Sequence, residues 1–239
     1  MYDKGKQDRL CVTSFSPVGY EAYGKEFLKT YVAYVDAPLY VYVEGMKNKP
    51  AFNHEKITYL DLWEVDGLLA FLKMADFPAA KGDLWNEGGR PNYRWMTHTF
   101  CRKNFAQIDA AHRFAQLGGK ELFWLDADIV FRGAFKLPPL NDDFTLYLGR
   151  TDHHSCTSFV GWNLSLPYSR SYFKKLKQLY MTGTIFALKY WHDCFVLDTL
   201  REDLKLPSKN LANSLDAPAY SNVFDMVFQN ARHKKGDLK

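Results

Sequence analysis

The sequence predicts a single-domain α/β fold with a mostly parallel central sheet flanked by helices. The chain has 239 residues, of which 47% are hydrophobic and 24% charged, which suits one large globular domain. Segments of strand and helix character alternate through the first 130 residues. Parallel sheets with crossover helices produce this alternation. Midway along the chain, an apolar run is followed at once by two aspartates, and such sheets bind ligands at that kind of strand end.

The predicted strands are short runs of β-branched, aromatic and aliphatic residues. They are LCVTSF (10–15), VDAPLYVYVEG (35–45), ITYLDL (57–62), ELFWL (121–125), TLYLG (145–149) and SFVGWNLSL (158–166). The predicted helices space apolar side chains three or four residues apart. They are 21–35, 64–75, 94–117, 169–180 and a segment that follows Trp191. Residues 79–92 are rich in glycine and charge, which predicts a loop.

Composition and charge narrow the classes of function. A net charge of +4 permits an anionic ligand such as a nucleotide, but it is no signature of a nucleic-acid-binding protein. The four cysteines lack zinc or redox spacing, which favours reduced thiols in a cytoplasmic protein. We expect no membrane span, because no apolar run approaches eighteen residues.

Asp126 and Asp128 come directly after ELFWL, where the predicted strand leaves the sheet. Closely spaced carboxylates suit Mg²⁺ or Mn²⁺, and either ion bridges to phosphate oxygens. A cation would also offset the cost of placing two acids at the end of a buried strand. The alternative interpretation is a polar strand end with two solvated carboxylates.

An Asp-x-Asp motif that closes a strand midway along an α/β chain resembles the GT-A glycosyltransferases, which use nucleotide-sugar donors. Residues 233–239 read HKKGDLK, which is similar to the H-x-x-G-x-x-K motif of the family 8 retaining enzymes. The resemblance implies a Rossmann-like GT-A sheet and a metal held by Asp126, Asp128 and His233. It also implies that Gly236 and Lys239 contact the diphosphate of the donor, most simply a UDP-sugar.

The same resemblance predicts further donor contacts. The end of the first strand would hold the nucleobase, with Tyr20 or Tyr23 stacked on it. The SFVGWN segment would line the pocket for the donor sugar and the acceptor. The predicted donor-binding residues are Thr13, Ser14, Tyr23, Glu44, Arg94, Lys103, Asp126, Ala127, Gly161, Asn163, Gly236 and Lys239. A solvated helix face is the alternative for Arg94 and Lys103, and capping or simple exposure is the alternative for Glu44.

Asp193, in WHDCFVLD, is the candidate catalytic residue. By resemblance, it would act as general base in an inverting reaction or orient the sugar in a retaining one. Helix capping explains the residue equally well. Residues 10–130 would bind the nucleotide, and residues 131–239 the sugar and the acceptor. A glycan, a lipid-linked oligosaccharide or a modified nucleic-acid base remains open as acceptor, and the sequence predicts no oligomeric state.

Two other functions compete with a transferase. DADIV (126–130) fits the nucleophile motif of haloacid-dehalogenase-type phosphatases, although that motif usually ends the first strand of the fold. A non-catalytic sugar- or nucleotide-binding domain is the other alternative. The neighbouring histidines of GRTDHHSC, His153 and His154, have no third ligand at zinc spacing and predict an exposed loop near the end of the sheet that would bind the ligand.

Overall fold

A mostly parallel sheet of seven strands forms the centre of the protein. The computed structural model describes residues 8–83, 92–213, 217–218 and 222–234. Within these ranges the strands are β1 Arg9–Phe15, β2 Leu39–Val43, β3 Ile57–Asp61, β4 Glu121–Leu125, β5 Ile129–Phe131, β6 Thr145–Leu148, β7 Cys156–Asn163, β8 Ser208–Asn210 and β9 Ala231–His233. The central sheet has the order β3-β2-β1-β4-β7-β6-β8, and β5 pairs with β9 in a separate two-stranded ribbon.

Helices connect these strands. They are α1 Pro17–Gly19, α2 Lys25–Tyr34, α3 Leu68–Met74, α4 Thr97–Gln116, α5 Tyr168–Met181, α6 Asp193–Asp203 and α7 Val223–Val227. A π-helical segment, Tyr20–Gly24, joins α1 to α2. After α4 the chain turns at Gly118, whose φ of 80° is a left-handed conformation that glycine adopts without steric cost.

Strand direction follows from the pairing. Strands β3, β2, β1 and β4 pair in parallel, whereas β7 is antiparallel to both β4 and β6. Strand β8 is again parallel to β6. The prediction of an α/β fold with a mostly parallel, helix-flanked sheet is therefore confirmed. The short strands β5, β8 and β9 were not predicted, and the expected loop over 79–92 lies partly outside the described residues.

Each face of the sheet is covered by its own apolar cluster. On one face, α3, α4, α5 and α6 pack over Phe71, Phe105, Trp162 and Tyr180. On the other face, α2 and the β5–β9 ribbon enclose Phe27, Tyr31, Phe131 and Phe159. Burying each such aromatic side chain is worth about 1.5–3 kcal/mol relative to exposure.

The carboxyl ends of β1, β2 and β4 lie at one edge of the sheet, because these strands run in the same direction. The amino end of the antiparallel β7 lies at this same edge, since Leu125 pairs with Phe159. We call it the ligand edge, because open α/β sheets bind their ligands there. Across the described ranges, no helix combines the length and the apolar composition that crossing a bilayer requires.

Candidate metal centre

Asp126 and Asp128 form the turn that carries the chain from β4 into β5. The backbone N–H of Asp126 donates to the carbonyl of Ser158 at 2.9 Å, which is the last rung between β4 and β7. The N–H of Ile129 then donates to the carbonyl of Asp126 at 3.2 Å, which closes the turn. Both carboxylates therefore project from a tight connection at the ligand edge.

The β5–β9 ribbon brings His233 to the same place. Ile129 and His233 are paired across this antiparallel ribbon, and the N–H of Lys234 donates to the carbonyl of Asp128 at 3.1 Å. The N–H of His233 donates to Oδ1 of Asp225 at 2.7 Å, which fixes the end of β9 to α7. The three-residue strands β5 and β9 thus bring together two motifs that lie far apart in the sequence.

The three side chains converge with the spacing of a cation site. Nε2 of His233 lies 2.9 Å from Oδ1 of Asp128 and 3.7 Å from Oδ2 of Asp126. One ligand atom from each residue fits within 4.8 Å of the other two. Two ligands at right angles around Mg²⁺, each at about 2.1 Å, lie about 3 Å apart, so these separations fit one small cation. Nδ1 of His233 is buried and has no hydrogen-bond partner among the described residues.

A buried lysine connects this centre to α6. Nζ of Lys103, on α4, lies 2.8 Å from Oδ1 of Asp126 and 2.9 Å from Oδ2 of Asp193, and it donates to the carbonyl of Thr157 at 2.6 Å. Burial alone would lower the pKa of Lys103, but the two carboxylates outweigh burial and raise it, so the ammonium stays charged. Nε1 of Trp124 also donates to Oδ1 of Asp126 at 2.6 Å. Oδ1 of Asp126 is thereby occupied, while its Oδ2 faces His233.

Asp193 is held as an ionised acid. It is the first residue of α6 and is only 5% exposed. Its Oδ2 accepts from the hydroxyl of Thr157 at 2.6 Å as well as facing Lys103. Burial would raise the pKa of Asp193, but Lys103 and the Thr157 hydrogen bond lower it to about 2. An acid with this pKa and these partners is a weak proton acceptor at neutral pH.

Several other predicted residues lie at or near the ligand edge. Ser14 is half-buried near the end of β1, whereas the hydroxyl of Thr13 is fully buried and without a hydrogen-bond partner among the described residues. The pKa of the Tyr23 hydroxyl is raised, first by burial and then by the charges of Asp128, Asp126 and Glu44. Tyr23 therefore lies close to the metal centre. Oε1 of Glu44 accepts a hydrogen bond from Arg102 at 2.7 Å.

The structure keeps Asn163 away from the ligand edge. Strand β7 runs antiparallel, so Asn163 pairs with Glu121 at the start of β4, four residues and about 13 Å from its end. Its amide donates to the carbonyl of Asn141 at 2.9 Å. The predicted pocket contact of Asn163 therefore does not match its position, because the sequence pattern did not reveal the direction of the strand.

Three more residues that were predicted to contact the donor lie in surroundings of a different kind. A Cβ added at Gly161 would lie 3.0 Å from the ring of Phe123, so this glycine provides room for packing inside the sheet. The side chain of Ala127 is buried in the apolar cluster on the α2 face. Arg94 lies in a 3₁₀ turn before α4, with its guanidinium 5.6 Å from the centre of the Tyr190 ring. Gly236 and Lys239 lie outside the described residues.

The structure also reveals a histidine cluster that no sequence motif indicates. His192, directly before Asp193, is 2% exposed, and its ring centre is 5.5 Å from that of His154. Burial lowers the pKa of His192 to about 4. His192, Asp193 and Cys194 form a second group of potential metal ligands. Burial and the charge of Asp193 raise the pKa of the Cys194 thiol, and a protonated thiol is a poor metal ligand, so this group is a poor metal site.

No protein-family model matches this chain, and a search of curated proteins finds no significant match. The functional interpretation therefore depends on the geometry of the site and the chemistry of its residues.

Proposed function

We propose that the protein is a metal-dependent glycosyltransferase of the GT-A type, which moves a sugar from a nucleotide-sugar, most simply a UDP-sugar, to an acceptor hydroxyl. The observation that carries this proposal is the convergence of Asp126, Asp128 and His233 at the ligand edge of a mostly parallel sheet. Two carboxylates and an imidazole suit Mn²⁺ or Mg²⁺, which in turn bind the diphosphate of a nucleotide. Such a cation, when bound, stabilises the charge that develops on the departing nucleoside diphosphate.

The residues around this centre support donor binding. Ser14 lies near the carboxyl end of β1, and Tyr23 lies near the candidate metal centre; in this proposal both contact the nucleoside. Lys103 supplies a buried positive charge 2.8 Å from Asp126, and it lowers the pKa of Asp193. In this proposal Gly236 and Lys239, just after β9, contact the diphosphate.

Asp193 fits an orienting role better than a general base. Its pKa of about 2 and its bonds to Lys103 and Thr157 leave it little capacity to take a proton from an acceptor hydroxyl. A fixed carboxylate at the start of α6 instead suits hydrogen bonds to sugar hydroxyls. This favours the retaining alternative over the inverting one.

Calorimetric titration with UDP tests the proposal. We expect binding in the presence of Mn²⁺, no binding in EDTA and no binding to Asp128→Ala with Mn²⁺ present. The matched control is Asp142→Ala, because Asp142 is an exposed aspartate beside Asn141 and far from the ligand edge. It should bind UDP as the wild type does.

Binding of GDP or CDP in place of UDP would support the transferase proposal with a different nucleotide in the donor. Failure of all nucleotides would refute the proposal. The haloacid-dehalogenase alternative would then be tested by hydrolysis of p-nitrophenyl phosphate in Mg²⁺. Metal-dependent UDP binding without UDP-sugar hydrolysis or transfer to any acceptor would favour the non-catalytic binding domain.

A further inference from the structure

A second group of polar side chains lies beside Asp193, outside the metal centre. Three segments meet there: the 3₁₀ turn Tyr93–Trp95, the loop of residues 149–155 between β6 and β7, and the start of α6 at His192. The hydroxyl of Tyr93 lies 3.2 Å from Nε2 of His153, which joins the first two segments. The N–H of Trp191 donates to the carbonyl of Arg94 at 2.7 Å, which joins the first and the third.

Rings line this region and enclose His192. The His192 ring centre lies 5.4 Å from that of Tyr93, 5.5 Å from that of His154 and 6.1 Å from that of Tyr190. Nε2 of His192 is buried and has no hydrogen-bond partner in the described part of the chain. An unpaired polar nitrogen in a residue that is only 2% exposed is costly unless a ligand satisfies it.

Positive charge gathers around the same rings. The guanidinium of Arg94 lies 5.6 Å from the centre of the Tyr190 ring, and Nη1 of Arg150 donates to the carbonyl of His154 at 3.2 Å. Nε of Arg150 is buried and unpaired among the described residues. The pKa of His153 is lowered, first by burial and then by His154, Arg150 and Arg94, which shows that these cations act on one region.

The acidic side chains described near these rings either form hydrogen bonds and ion pairs or are exposed. Oδ2 of Asp198 accepts from the N–H of Ser155 at 2.8 Å, and Oδ1 accepts from the Ser155 hydroxyl at 2.6 Å. Arg201 faces both Asp198 and Glu202, at 3.4 and 3.7 Å. Asp152 is exposed. Among the described residues, Arg150 and Arg94 lower the pKa of His153 more than Asp152 raises it, so the side of the cluster at His153 favours an anion, while Asp193 acts on His192 from the other side.

We propose that Arg150, Arg94 and His192 form an anion-binding subsite for a phosphate group, with Tyr93 and Tyr190 stacking on the ring that carries it. The two orphaned nitrogens, Nε of Arg150 and Nε2 of His192, supply hydrogen bonds to phosphate oxygens. Because the subsite adjoins Asp193, a phosphorylated sugar or nucleoside bound there is the acceptor. That last step rests on the proposed function, whereas the phosphate subsite itself does not.

Ligand-observed NMR in EDTA tests the subsite without the metal centre. The probes are ribose 5-phosphate, inorganic phosphate and ribose. We expect ribose 5-phosphate to bind most tightly, inorganic phosphate more weakly and ribose not at all. Arg150→Gln should weaken ribose 5-phosphate about tenfold or more, since it removes a charge-assisted contact. Arg170→Gln, which changes an exposed arginine on α5, should have no effect.

Two further variants keep the test decisive. His192→Phe keeps a ring and removes the orphaned nitrogen, so it should also weaken ribose 5-phosphate if it melts like the wild type. Asp128→Ala should bind ribose 5-phosphate normally while losing UDP with Mn²⁺, so that failure of the subsite and failure of the donor site are read separately. No binding of either phosphate probe in EDTA, or equal binding by Arg150→Gln and the wild type, would overturn the proposal. Loss of binding in Asp128→Ala would also overturn it, because the phosphate would then belong to the donor site.

Discussion

Replacing Lys103 by methionine should destabilise the protein more than any ordinary surface change. The ammonium bridges Asp126 and Asp193, and the Lys103 side chain is only 11% exposed. Methionine fills a similar volume but removes one of the two donors to Oδ2 of Asp193. The Thr157 hydroxyl is the donor that remains, and the Asp193 side chain is only 6% exposed. Removing one partner of a buried pair in this way costs about 3–5 kcal/mol.

That loss corresponds to a large thermal shift. In a chain of this size, 1 kcal/mol lowers the melting temperature by about 2–4 °C, so a loss of about 3–5 kcal/mol should make Lys103→Met melt about 6–20 °C below the wild type. The double variant Lys103→Met/Asp193→Asn removes the stranded charge and keeps an acceptor for Thr157. It should recover about 2 kcal/mol or more of the free energy of unfolding relative to Lys103→Met.

Urea unfolding at pH 7 measures these differences. The matched control is Lys175→Met, which breaks an exposed ion pair with Asp203 at 3.4 Å and should change stability by less than about 1 kcal/mol. If Lys103→Met cost no more than Lys175→Met, or if Asp193→Asn rescued nothing, the buried charge cluster would not organise this edge of the sheet as argued.

Three other predictions follow from single contacts. His233→Ala should weaken Mn²⁺ binding at least tenfold in calorimetry. The control His112→Ala, which changes an exposed histidine on α4, should leave Mn²⁺ binding unchanged. Because burial lowers the pKa of His192 from 6.5 to about 4, only the unfolded state takes up its proton in that interval. The free energy of unfolding should therefore be about 3 kcal/mol lower near pH 4 than above pH 6.5. In urea unfolding, His192→Phe should show a flatter dependence of this free energy on pH. Gly161→Ala should lose about 1–3 kcal/mol in urea unfolding by crowding Phe123, while leaving UDP binding intact.

The sequence predicted the strands and helices that are long enough to show a periodic pattern of apolar residues. The long apolar runs of β1, β4 and β7 and the twenty residues of α4 were recognisable because their patterns span enough positions. Strands β5 and β9 have three residues each, too few for a period, and each depends on a partner far away in the chain. The Asp-x-Asp and His-x-x-Gly-x-x-Lys motifs nevertheless pointed to three side chains that this ribbon brings together.

Other features of the site depend on tertiary structure that a sequence pattern does not contain. Asn163 was misplaced because alternation along a strand is the same in both directions, and only pairing with β4 shows that β7 is antiparallel. Likewise, nothing local distinguishes Lys103 from the solvated charges of its helix. Its burial follows from the way α4 crosses between β4 and the start of α6.

The two oxygens of Asp126 connect the metal centre to the rest of the fold. Oδ1 accepts from Lys103 and Trp124, and Oδ2 faces His233, so this carboxylate would be shared between the fixed ammonium and any cation held at the candidate metal centre. Two cations that share an acid repel each other, and this repulsion is strong where water is largely excluded. Lys103→Met should therefore bind Mn²⁺ more tightly although it folds less stably. Opposite changes in metal affinity and in stability would distinguish a lysine that compensates buried acids from one that binds the donor, because loss of a donor contact weakens UDP binding and leaves affinity for the metal alone unchanged.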